Sequence, residues 1–349
     1  MNMKKIGASV AALTLGTAIL FTGCGSKIDT KATLINIDNG ADSIELGYAN
    51  FLARYQQSVY DQYYMPYFGE DMWTQDLYGM GTTMEDDIKA QVLDSLKDEY
   101  ALAKHYDEYG VALSVEEQTA IEAAADSFMA SNSEETLEAL GANRDYVVKM
   151  LTKETMVSKA MTAIKNSKEV TVSDEECWQK TFSYAFFSTT TAYDADGNSI
   201  EVTDDYIKSQ KAAADKVAAA DDFDAAAEES GATVSTYSFT KGTTEDSAFG
   251  MDVINAAEKL AAGEVSSVIE VADAGYYVLR LDSEHDAEAS QTKRETMTAQ
   301  QQSEYYNELL TGWQEAITWE VDSELWSTVK FDTLFKSIPT DETQETENN

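Results

Sequence analysis

The chain has 349 residues, long enough for two domains. Its 63 acidic residues against 25 basic ones leave a formal net charge of −38. That balance argues against nucleic acid as a partner, because phosphates reward Lys and Arg, and against electrostatic adhesion to an anionic membrane face. His105 and His285 lie far apart, and neither a metal-ligand spacing, a phosphate loop, a dinucleotide fingerprint nor a nucleophile elbow is present. No metal and no cofactor is therefore expected.

At the N-terminus, Lys4 and Lys5 precede an uncharged, mostly apolar run from Ile6 to Phe21. The run is short for a membrane span of about 20 residues and has the length of a signal h-region. It leads into Thr22-Gly23-Cys24, small residues before a cysteine as a lipobox requires, although Phe21 departs from the usual leucine. Residues 1–23 are read as a lipoprotein signal peptide and Cys24 as the lipidated first residue of the mature chain. An ordinary secretory cleavage with Cys24 incidental is the alternative. No later stretch is long and apolar enough to span a bilayer, so the lipid on Cys24 is the expected membrane contact. Cys177 then has no disulfide partner and reads as a small buried hydrophobe.

Residues 24–32 form a polar tether. Leu34 to Ile37 reads as a short strand closed by the turn Asp38-Asn39-Gly40. Helical patterning begins at Ile44 and runs to Tyr60. Ile88, Val92, Leu96, Tyr100 and Ala103 recur at helical spacing, and Tyr109-Gly110 ends that helix. Ser114 with Glu117 forms a capping box for the next helix. Met150, Val157, Met161 and Ile164 mark a further apolar stripe. Residues 33–175 thus read as a helical lobe.

The pattern then changes. Ser173 with Glu176 caps a short helix, and Phe182 to Phe187 reads as a strand. Asp194 to Asn198 is a turn, and residues 204–229 are Ala-rich and helical. Thr233 to Phe239 reads as a strand, 251–261 as a helix, and Val268 to Val271 with Tyr276 to Leu281 as a final hairpin. Residues 178–285 form a small α+β domain. Residues 286–338 carry a return helix with Met297, Tyr305, Leu309, Trp313 and Ile317 on one stripe, whose partner is expected to be the N-terminal lobe. The acidic tail, 339–349, has nothing to bury and is expected to be disordered.

This order resembles the extracytoplasmic foldases of the PrsA type in Gram-positive bacteria, and more distantly the periplasmic chaperone SurA. The α+β domain resembles the parvulin-type (PpiC-type) peptidyl-prolyl isomerases. The resemblance rests on Asp222 to Ser230, similar to the family's "dFaelAkeyS"; on Ala261-Ala262-Gly263-Glu264-Val265-Ser266, similar to "l..Gevs"; and on Gly275 to Leu281, similar to "GyHiIkv". Ile44 to Phe51 is similar to the start of the chaperone lobe. The fold it implies is α+β: a SurA-like helical lobe built from both chain ends, with the parvulin-like domain inserted.

The departures concern the cleft. Where active parvulins carry histidines, this chain has Tyr184 in the first strand and Tyr277 in the last. The family's "GGdLG" stretch is absent, and the proline-pocket positions correspond to Phe249 and Val253. The resemblance therefore implies a lipid-anchored chaperone assisting exported proteins, with a degenerate parvulin-like domain. An active isomerase and a non-catalytic envelope binding lipoprotein stay open, as does the oligomeric state. Unfolded or newly exported polypeptides are the expected partners. For holding them, the segment from Tyr60 to Met84 offers Tyr63, Tyr64, Met65, Tyr67, Phe68 and Trp73, since aromatic and methionine side chains suit promiscuous apolar contacts. Packing within the lobe is the alternative for these residues.

Overall fold

The computed structural model describes residues 17–19, 28–193 and 197–337. Cys24 and the tail 339–349 lie outside the described residues, as do residues 194–196 of the expected turn. The chain divides into two compact units, one of residues up to 168 with those from 303 onward, the other of residues 169–302.

In the first unit, β2 (Thr33–Ile37) and β3 (Asp42–Glu45) form a hairpin, followed by α1 (Leu46–Tyr63), α2 (Met65–Phe68), α3 (Met84–Ala103), α4 (Val115–Ser131), α5 (Glu134–Leu140) and α6 (Arg144–Ser167). The turn between β2 and β3 places Asp38 and Asn39 at positive φ, at 49° and 59°. Asn and Asp tolerate that left-handed region better than other non-glycine residues. The first helix begins two residues later than its patterning indicates, because Ile44 pairs with Ile35 in the sheet. The capping box of Ser114 and Glu117 forms as expected, and Thr83 with Asp86 makes a second one at the start of α3.

α1 is the axis of this unit. Tyr48 and Phe51 lie one turn apart and are buried, and Ala49 and Ala53 let neighbouring helices approach. The C-terminal chain returns to the same core. β10 (Trp319–Val321) pairs antiparallel with β2, giving the sheet order β10-β2-β3. α12 (Ser323–Ser327) follows, and Trp326, Val329 and Phe331 are buried with the N-terminal helices. Buried polar side chains fix this return: Arg54 donates to the carbonyls of Lys330 at 2.7 Å and Thr333 at 3.0 Å, and Lys89 donates to that of Val329 at 2.8 Å. β1 (Thr17–Ile19) pairs with β11 (Phe335–Ser337), so among the described residues β11 has its one strand partner inside the segment read as a leader.

The second unit holds α7 (Asp174–Cys177), β4 (Gln179–Ser188), β5 (Ala192–Tyr193), β6 (Ser199–Ile200), α8 (Asp204–Ala218), α9 (Phe223–Glu229), β7 (Val234–Thr240), α10 (Met251–Lys259), β8 (Ile269–Val271) and β9 (Gly275–Ser283). The expected helix over 204–229 is two helices, because Asp222 turns to cap α9 by accepting the amide of Ala225 at 3.0 Å. The antiparallel sheet runs β7-β4-β9-β8. Alternation along β4 sends Ala185 and Phe187 toward α8 and α9, and Phe182 and Tyr184 toward α10. Gly275 has φ +151°, and a Cβ there would meet the Phe187 carbonyl oxygen at 2.1 Å, so the β4–β9 pairing requires glycine at this point.

The long helix α11 (Ala287–Glu315) contributes to both units. The division between the two units falls at residue 303, within this helix. The first turns of α11 belong with the α+β unit because Ser290 Oγ accepts the Gln179 amide at 3.0 Å and Arg294 bonds the Val172 carbonyl and Asp174. Beyond it, Tyr305, Tyr306 and Leu309 pack on Leu102, Val111, Ala160 and Ile164 of the first unit.

Candidate functional site

The face of the sheet toward α10 is a cluster of aromatic rings. Tyr184 on β4 is paired with Leu279, and Phe186 with Tyr277, so Tyr184 and Tyr277 are diagonal neighbours across β4–β9. Their ring centroids are 6.1 Å apart. Phe249 enters from the loop before α10 and packs edge-on against Tyr184 at 5.1 Å, Tyr237 at 4.8 Å and Tyr277 at 5.9 Å. The sequence comparison thus names three residues that the fold brings together. Val253, the fourth, is a core residue of α10 with 1% exposure, packed with Phe182 and Leu279.

Two residues of this cluster escaped the sequence reading. Tyr237 on β7 donates its hydroxyl to Asp246 at 2.9–3.0 Å, and Asp246 Oδ1 accepts the amides of Ala248 and Phe249, each at 2.9 Å. Asp246 therefore sets the position of Phe249. The alternation of Tyr237 with Phe239 on a strand was the available signal; the closure of the loop by Asp246 left none, because it joins residues through a turn of irregular length.

The electrostatics follow from burial. The Tyr237 hydroxyl is pushed up to about 12, first by burial and then by its bond to the Asp246 carboxylate. Burial also raises the Tyr277 hydroxyl, with Tyr184 adding to the effect. Both groups are neutral phenols at neutral pH, and Tyr237 serves as a hydrogen-bond donor to Asp246. Neither histidine reaches the cluster. His105 stacks on Trp313 at 3.8 Å and His285 on Trp178 at 4.2 Å. Cys177 is buried with a free thiol.

The aromatic segment after α1 divides into two sets. Tyr63, Tyr64, Tyr67 and Phe68 are exposed, Tyr67 to 83%, and Tyr78 and Met80 are exposed beside them in sequence. Met65 is half-buried against the core. Trp73 is a core residue, 2% exposed, with its indole N–H donated to Asp61 at 2.8 Å and its ring edge-on to Phe331 at 4.8 Å. Pro66 opens the short helix α2, which turns the chain outward before Trp73 returns it to the core. No Lys or Arg occurs between Arg54 and Lys89, so the exposed rings sit in an acidic stretch of sequence.

Residues 179–293 match the family described as the PPIC-type PPIASE domain, and the α+β unit is therefore a domain of that kind. The match takes in the first turns of α11, as the unit boundary does. No curated protein matches the chain. Among solved structures, the foldase PrsA of Lactococcus lactis is similar over 86% of this chain and 99% of that one, at 14% identity and a TM-score of 0.36. PrsA of Streptococcus pneumoniae is similar over 69% and 89%, at 18% identity and a TM-score of 0.32. A study of two SurA-like chaperones of Campylobacter jejuni provides a structure similar over 83% and 98%, at 10% identity and a TM-score of 0.28. Among the described residues, no helix is long and apolar enough to cross a membrane.

Proposed function

We propose that this chain is an extracytoplasmic chaperone and foldase, anchored by lipid on Cys24, whose PPIC-type domain holds polypeptide but is a poor isomerase. The observation that carries the reading is the cleft of that domain: Tyr184 and Tyr277 stand where the family resemblance places histidines, and Phe249 packs against both rings. An X-Pro bond must cross a barrier of about 18–20 kcal/mol. Lowering it requires tighter binding of the twisted amide than of the planar one. Rings packed on one another leave little shaped space for the proline ring and its hydrogen-bonding partners. In the first unit, the exposed rings of Tyr63, Tyr64, Tyr67 and Phe68 offer clients a further apolar surface with no backbone requirement.

The test uses the soluble protein starting at Gly25. Cis/trans exchange of a proline peptide is measured by NMR beside suppression of aggregation of an unfolded client. Exchange near background with clear suppression supports the proposal. Strong acceleration that is lost on replacing Phe249 would establish an active isomerase instead, and absence of suppression would favour a non-catalytic envelope binding protein.

A further inference from the structure

The sheet of the α+β unit ends at β7, and nothing among the described residues pairs with its outer side. β7 reads Val-Ser-Thr-Tyr-Ser-Phe-Thr, without a charge or a proline, and it pairs with β4 through seven successive residues without a register shift. Charge, proline and bulges are the devices that keep edge strands from recruiting another chain, and this edge has none of them. The phase of the ladder is set by Lys241, whose amide donates to the Trp178 carbonyl at 2.8 Å. Alternation from that pair turns the amides and carbonyls of Thr236 and Ser238 away from β4. The Thr240 carbonyl is taken by the Thr243 amide at 3.1 Å, which closes the free stretch at that end.

Beside this edge run two neighbouring cavities of about 440 and 500 Å³ that share Gln179, Ser238 and Lys293. Their walls are β7, the loop 243–247 and the first turns of α11. Four carboxylates line them, Glu245, Asp246, Asp286 and Glu288, against the one cation of Lys293. Asp246 is bonded to Tyr237 and Asp286 to Thr181 at 2.7 Å, while Glu245 and Glu288 are exposed.

We propose that the β7 edge captures an extended polypeptide segment carrying Lys or Arg, which adds a strand to the sheet through the backbone groups of Thr236 and Ser238 and places basic side chains against Glu245 and Glu288. Backbone pairing tolerates many sequences, and the acidic walls select basic ones. The occupant rests on the chaperone reading.

The experiment uses the full soluble chain and a labelled, end-blocked heptapeptide of alternating Lys and Val, followed by fluorescence anisotropy. Two perturbations attack the pairing from opposite sides. Thr236→Pro removes an outward N–H without touching the β4 ladder, and N-methylation of alternate peptide amides removes the donors of the incoming strand. Each is expected to weaken binding at least about ten-fold. The methylated peptide keeps the test decisive if the proline variant folds poorly. Equal binding of both peptides would overturn the proposal. So would a concentration-dependent dimer that Thr236→Pro dissolves, since a second copy would then own the edge. Suppression of client aggregation without peptide binding would overturn the edge and leave the chaperone reading standing. Peptide binding without suppression would sustain the edge and overturn that reading.

Discussion

Trp313 lies flat on His105, with ring centroids 3.8 Å apart and planes inclined by 14°. The contact joins the C-terminal part of α11 to the residues just after α3, positions more than two hundred residues apart in sequence. Tyr109 meets the same indole edge-on at 6.1 Å, and Leu309 and Leu310 continue the contact along the helix. Trp313→Ala is expected to destabilise the first unit by about 2–4 kcal/mol, below the full cost of a wholly buried tryptophan because this one is half-buried. A chain ending at Gln302 should lose that unit's cooperative unfolding while the α+β unit keeps its own. Urea unfolding followed separately for each unit checks both. An unchanged midpoint for the first unit in either variant would contradict this account.

Asp246 is the fastening of the aromatic cluster. Asp246→Ala removes the acceptor for the amides of Ala248 and Phe249 and for the Tyr237 hydroxyl. A loss of about 1–3 kcal/mol is expected for the α+β unit. The Tyr237 hydroxyl, now at about 12, should titrate lower once the neighbouring carboxylate is gone. Its phenolate absorbance against pH, with Tyr237→Phe as the reference, reads this directly.

Asp61 makes stability depend on pH. It is 1% exposed, and burial pushes its carboxyl up to about 6 although the Phe335 amide, the Trp73 indole and Arg54 favour the charged form. A carboxyl whose folded pKa lies above its unfolded one is favoured protonated in the fold. Its contribution is complete below about 4 and is lost as pH rises through about 6. Stability of the first unit should therefore fall between those values by about 2–3 kcal/mol. Asp61→Asn should shift the whole curve yet abolish this slope. Denaturant midpoints at a series of pH values in the two proteins decide it, and a wild-type curve that rises through that window would refute the assignment.

The anchor is tested at its own residue. Cys24→Ser should leave the protein without lipid, either retaining its leader or released. Detergent partitioning and intact mass read the outcome, and a lipid-modified Cys24→Ser protein would end the lipoprotein reading.

Much of the fold is local in origin and so could be read from the sequence. The capping boxes at Ser114 and Ser173 form because hydroxyl and carboxylate lie three residues apart, a distance set by helix geometry alone. The alternation of Phe182 and Tyr184 with Ala185 and Phe187 assigns the two faces of β4, and glycine at 275 marks a close approach of strands. The family resemblance then singles out Tyr184, Tyr277 and Phe249, which the sheet does bring together. Tertiary structure decided what depends on partners distant in sequence. Trp73 and Tyr67 are both aromatic residues of one segment, yet one is buried because Asp61 and Phe331 receive it and the other is exposed because α2 turns outward. Arg54 looks like a surface residue of α1 until the carbonyls of Lys330 and Thr333 arrive from the other end of the chain. The free edge of β7 exists only once the strand order is known. Sequence patterns report periodicity and local hydrogen bonding, whereas burial and edge position are properties of the chain's return upon itself.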